Sequence, residues 1–84
     1  MLKVVLNKYI AAALRHAHYE ILEGKEGFYG SIPQLPGVWA QAGTLEECRE
    51  ELSSALEDWL LFSLSRQQPV PAMDGIDLSV REVA

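Results

Sequence analysis

One helix in this chain is as long as the domain that must contain it. Thr44-Leu45-Glu46-Glu47 fits a capping box, with Thr44 capping and Glu47 reaching back. Glu46 and Glu47 also complement the positive end of the helix dipole. Apolar residues at Leu45, Cys48, Leu52, Ala55, Leu56, Trp59 and Phe62 form one stripe, and Pro69 forces a stop near Arg66 or Gln67. About 22 helical residues span roughly 33 Å. A compact domain of 84 residues has a radius of gyration near 12 Å, equivalent to a sphere about 30 Å across. The other elements must therefore be laid against this one helix. Its last part, Trp59-Leu60-Leu61-Phe62-Ser63-Leu64, is apolar around most of its circumference, whereas a helix on one sheet buries only one stripe. Leu60, Leu61 and Leu64 need further cover. A tail folding back from Pro69 to Pro71, with a short final strand over Ile76 to Val83, would supply it. A second protomer would do so too, and a homo-oligomer, dimer or tetramer, is the preferred expectation.

The residues before that helix read as α-β-β-β. Leu2, Val5, Leu6, Tyr9, Ile10, Ala13 and Ala17 recur at spacings of three and four, and three consecutive alanines support a helix to about Arg15. A short strand over Lys3 to Leu6 is the alternative, because two valines sit there. From Ala17 the period changes to two, and Glu23-Gly24-Lys25-Glu26-Gly27 supplies a hairpin turn. The second strand is Phe28 to Ile32, with Phe28, Gly30 and Ile32 on one side and Tyr29 and Ser31 on the other. Pro33 and Pro36 interrupt pairing before a third strand, Val38 to Ala42. The expected fold class is α+β: N-terminal helix, three-stranded antiparallel meander, long helix, and a possible short C-terminal strand.

Composition narrows the chemistry. Seven basic and twelve acidic residues give a formal net charge of −5, which disfavours a general nucleic-acid binder and suits a basic partner. One cysteine forms no internal disulfide. No apolar run approaches the roughly 20 residues that a membrane span needs, and the chain reads as a soluble cytoplasmic protein with no membrane partner. A metal site would draw on His16, His18 and Cys48, but no Cys-x-x-Cys or His-Glu-x-x-His accompanies them, and Cys48 lies on the apolar stripe. The serines lack a base at a recognisable position and no Gly-x-Ser-x-Gly elbow occurs. Neither a metal nor a cofactor is expected, and no catalytic residue is assigned. The long helix instead carries Glu46, Glu47, Glu50, Glu51, Glu57 and Asp58 against Arg49 and Arg66. Six acids against two bases form either a solvated face or a field that steers a basic partner. Tyr29 and Trp39 form either an exposed aromatic patch or part of a sheet packed on both sides, with the first helix as one layer. The second arrangement is the expected one.

An ordered series of motifs resembles the HicB-like antitoxin family. Gly27-Phe28-Tyr29 looks like that family's strand-opening aromatic motif. Ile32-Pro33 followed by Leu35-Pro36-Gly37 looks like its Pro-x-Leu-Pro-Gly turn, and Gly43-Thr44-Leu45-Glu46-Glu47 like its Gly-x-Thr-x-Glu-Glu helix start. Ala55-Leu56 and Trp59-Leu60 fall where its long helix continues. The series covers about 40% of the chain.

The resemblance implies a partial ribonuclease-H-like fold without the catalytic carboxylates of true nucleases. It further implies a non-enzymatic antitoxin that neutralises a small basic HicA-like toxin, an mRNA-cleaving protein, by covering its active face. Glu46, Glu47, Glu50 and Glu51 are the expected partner contacts, and Leu60, Leu61 and Leu64 the expected oligomer interface. Only Gln67 to Ala84 follow the core, too few for a complete helix-turn-helix. The expectation is one domain over residues 1–84, with no separate DNA-binding domain. The alternatives are a degenerate metal-dependent nuclease and a small oligomerising scaffold without a toxin.

Overall fold

A computed structural model describes residues 2–24 and 26–78. The element order is α1 (Leu2–Arg15), β1 (His18–Ile21), β2 (Phe28–Ser31), β3 (Trp39–Ala42) and α2 (Leu45–Ser65). This is the expected α+β arrangement. The two valines do not make a strand: they lie in the first turns of α1, where the helical spacing continues through Tyr9, Ala12 and Ala13, all three fully buried.

The three strands form an antiparallel sheet in the order β1-β2-β3. His18 pairs with Ser31 and Ile21 with Phe28; Phe28 in turn pairs with Ala42 and Ser31 with Trp39. The β1–β2 loop is closed by the Leu22 amide donating to the Gly27 carbonyl at 2.8 Å. Gly27 cannot be replaced without movement there. Its φ is +88°, and a Cβ would collide with the Ala42 carbonyl oxygen. Between β2 and β3 the chain makes two successive turns, with the Leu35 amide donating to Ile32 at 2.8 Å and the Val38 amide to Leu35 at 2.9 Å. These turns drive Leu35 and Val38 into the core, each only 1% exposed.

Helix α2 packs beneath β3 and β2, and α1 packs on α2. The buried stripe of α2 is Cys48, Leu52, Leu56, Leu60 and Ser63. It differs from the expected stripe at both ends: Leu45 and Phe62 are exposed, while Ala55 and Trp59 are half-buried at its margin. The helix ends as Pro69 requires, ahead of that residue. Gln67 adopts a left-handed φ of 55°, its amide donates to Leu64, and the Gln68 amide donates to Ser63 at 2.8 Å, a Schellman closure.

Beyond this closure the tail folds back. Val70, Met73 and Leu78 join Leu60 and Tyr9 in one hydrophobic cluster, and the Tyr9 hydroxyl donates to the Pro71 carbonyl at 2.5 Å. Asp74-Gly75 then forms a two-residue turn, both residues at positive φ, flanked by a reciprocal Met73–Ile76 backbone pair. Ile76 takes part in no longer strand within the described residues, and most of the strand expected over Ile76 to Val83 lies outside them.

Candidate functional site

The start of α2 is held by Thr44, whose backbone is extended (φ −126°, ψ 159°) and whose hydroxyl accepts from the Glu47 amide at 3.1 Å. Only this half of the capping box forms. The Glu47 carboxylate stays in solvent and makes no return bond among the described residues.

From that fixed start, helical geometry sets where the charges fall. At about 100° per residue, Glu46, Glu57, Glu50, Glu47, Asp58 and Glu51 lie within roughly 140° of the circumference. All six are exposed. Among the described residues none is within ion-pairing distance of a base, since both ion pairs found converge on Asp74. The two bases of α2 are engaged elsewhere. Arg49 acts electrostatically on the Tyr19 hydroxyl of β1, and the Arg66 guanidinium sits 5.0 Å over the Phe62 ring. Burial raises the Tyr19 hydroxyl pKa, and the charge of Arg49 opposes that rise. Among the described residues the acidic face is thus a field of one sign with no ion-paired base on it. It continues along the helix into an apolar end, where Leu61 and Phe62 are 52% and 53% exposed.

The residues expected at an oligomer interface separate. Leu60 is fully buried in the chain's own core, in one cluster with residues of the returning tail, and presents nothing to a second protomer. Leu64 is partly buried against the same core, and Leu61 alone of the three is well exposed. The reason is rotational: Leu60 follows Leu56 by four residues on the buried stripe, and Leu61 is turned about 100° away from it.

The second surface is the sheet face turned away from α2. The expected second layer is missing, because α1 packs on α2. His18, Glu20, Tyr29, Ser31, Trp39 and Gln41 share this open face by strand alternation. Tyr29 and Trp39 stack diagonally across it, ring centres 6.0 Å apart and 21° from parallel, and Trp39 is 55% exposed.

His16, His18 and Cys48 are not brought together. Cys48 is buried, its thiol directed at the Ala40 carbonyl at 3.7 Å, and burial reinforced by Glu51 pushes its pKa up, away from the thiolate that metals and electrophiles require. His18 is on the open sheet face. His16 instead bridges elements: its Nε2 is 2.7 Å from Asp74 and its Nδ1 is 3.3 Å from the Gln34 amide nitrogen, while Arg15 reaches Asp74 at 3.4 Å. This cluster ties the tail turn to the end of α1. The hydrogen bond from His16 is the main cause that lowers the Asp74 pKa, with Arg15 adding to it. Sequence reasoning missed the cluster, although Asp74-Gly75 is a strong two-residue turn signal. Among the described residues no group of three His, Cys, Asp or Glu side chains converges to hold a metal ion. No helix among them is long and apolar enough to cross a membrane.

A family model described as UPF0150-like matches residues 8–71, from the middle of α1 to the start of the tail. The chain belongs to the UPF0150-like family. Two UPF0150 proteins of Synechocystis sp. are similar to it. One is 39% identical over 57 residues, covering 68% of this chain and 75% of the relative. The other is 32% identical over 62 residues, covering 70% and 78%. Among solved structures, this UPF0150-like chain is similar to the crystal structure of TTHA0281 from Thermus thermophilus. The TM-score is 0.86 and the identity 42%, over 93% of this chain and 96% of that one. The helix, three-stranded sheet and long helix are therefore an arrangement shared with a solved relative.

Proposed function

We propose that this UPF0150-like domain is a non-enzymatic, HicB-like antitoxin that neutralises a small basic, mRNA-cleaving toxin by laying α2 across its active face. The observation that carries the reading is the acidic face of α2, with no ion-paired base on it among the described residues. Like charges at i,i+4, such as Glu46 with Glu50 and Glu47 with Glu51, destabilise an isolated helix by about 0.2–0.5 kcal/mol per pair. A basic partner converts that repulsion into attraction and is drawn in by it. Contacts are assigned to Glu46, Glu47, Glu50 and Glu51, with Leu61 at the apolar end. The resemblance of Gly27 to Leu60 to HicB-like antitoxins supplies the partner's class.

The test is mixing the purified chain with the small basic protein encoded beside it, at low salt. A complex that suppresses the partner's mRNA cleavage supports the proposal. Charge reversal at Glu46 and Glu50 should then slow association and flatten its salt dependence. If no complex forms, or if the charge-reversed chain binds with unchanged rate and salt dependence, the proposal fails.

A further inference from the structure

The free edge of β1 is less protected than the other surfaces of the sheet. The Leu22 amide bonds the Gly27 carbonyl, so in the alternating antiparallel pattern Glu20 and His18 also bond across to β2. The main-chain N–H and C=O of Tyr19 and Ile21 then point outward, and no described residue meets them. The described tail does not cover this edge: it reverses at Asp74-Gly75, and Asp77 acts electrostatically on Tyr9, on α1. Helix α2 packs mainly beneath β2 and β3 and reaches β1 at Tyr19, beside Cys48 and Arg49, leaving Ile21 beyond its cover. Ile21 is consequently 81% exposed although its side chain points to the helix-facing side of the sheet. A strand with an open edge and an uncovered apolar side chain is a template for another strand.

We propose that β1 pairs antiparallel with β1 of a second copy, making a two-fold, six-stranded sheet. Charge selects the register. Pairing Tyr19 with the partner's Ile21 would set Glu20 directly opposite the partner's Glu20, a like-charge contact that destabilises a ladder. Sliding by two residues puts Tyr19 opposite the partner's Tyr19 and Glu20 opposite the partner's His18, twice by symmetry. The two Tyr19 amides and the two Ile21 amides then find acceptors across the axis. Ile21 from both copies extends the apolar layer that Tyr19 begins, filling the space that α2 leaves beneath the joined β1 strands. The other edge, β3, is a poorer choice, because α2 lies directly beneath it and pairing there would bring two acidic helices side by side.

Sedimentation equilibrium on the full chain, up to millimolar concentration, tests the interface. The expected mass is two 9.4 kDa chains. Ile21→Pro removes an outward amide that the monomer does not use and should weaken the dimer about tenfold or more. Glu20→Lys should weaken it by roughly two- to thirtyfold, and His18→Glu combined with Glu20→Lys should restore it. Circular dichroism confirms that each variant folds, and Tyr19→Pro is the substitute should Ile21→Pro unfold. A single-chain mass at every concentration overturns the proposal. So does a dimer that Leu61→Ser dissociates while Ile21→Pro and Glu20→Lys leave it intact.

Discussion

Glu50→Lys should make this protein more stable and a poorer binder at once. Glu50 is exposed on α2 with Glu46 four residues before it, Glu47 three before it, and no base within ion-pairing distance among the described residues. Each like-charged pair costs about 0.2–0.5 kcal/mol, and a Glu followed four residues later by Lys gains a similar amount. Reversing one charge therefore changes two repulsions into two attractions, a swing of about 1–2 kcal/mol. Position 50 lies beyond the first turn, so the favourable dipole contribution of Glu46 and Glu47 is untouched. In a domain of this size a change of about 1 kcal/mol moves the melting temperature by about 4–8 °C. The assay is thermal melting followed by helical circular dichroism at low salt and at about 1 M salt, where the screening length falls to roughly 3 Å. A rise at low salt that shrinks at high salt is the expected result, together with slower association with the basic partner. An unchanged or lower melting temperature at low salt would refute the claim that the face carries no ion-paired base.

Three further outcomes follow from the packing. Leu60→Ala should cost about 2–5 kcal/mol, as for a fully buried leucine, whereas Leu61→Ala should stay within about 0.5 kcal/mol; urea titration of both variants reads the rotational setting of α2 directly. Gly27→Ala forces a Cβ into the Ala42 carbonyl at positive φ and should destabilise by about 1–3 kcal/mol, seen as a lower denaturation midpoint with the sheet signal lost together with the helices. The Asp74 pKa lies below its ordinary 3.8 because of His16 and Arg15. Its stabilising contribution is therefore present above the ordinary carboxylate range and is lost as pH falls through the depressed folded value. Asp74→Asn, which tolerates the left-handed backbone there, should lower the melting temperature at neutral pH and flatten the acid limb of its pH profile.

The local signals along the chain are strong where one residue type dictates a backbone state. Thr44 starts α2, Pro69 bounds its end, Gly27 closes the hairpin, and Pro33 and Pro36 separate β2 from β3. They fail where a side chain's fate depends on what lies opposite. Spacing put Phe62 on the expected stripe and Leu60 off it, and only the rotation of α2 against the sheet decides that Leu60 is covered and Phe62 is not. Tyr29 and Trp39 alternate as a buried strand face would, yet α1 docks on the helix and leaves them open. The acidic helix face is legible from spacing alone. The absence of an ion-paired base on it among the described residues is not, because that depends on Arg49 lying by Tyr19 and Arg66 folding over Phe62.

Element order, the ends of the long helix and the clustering of acids on it are local properties of the chain, because caps, prolines and the helical repeat act over a few residues. Which faces stay uncovered is settled by long-range packing. Val70, Met73 and Leu78 return from beyond the end of α2 to join the core that buries Leu60, and exposing the sheet face took the choice of α1 to pack on α2. Such choices are set by competition among distant apolar surfaces for a small shared core, and no local pattern records its outcome.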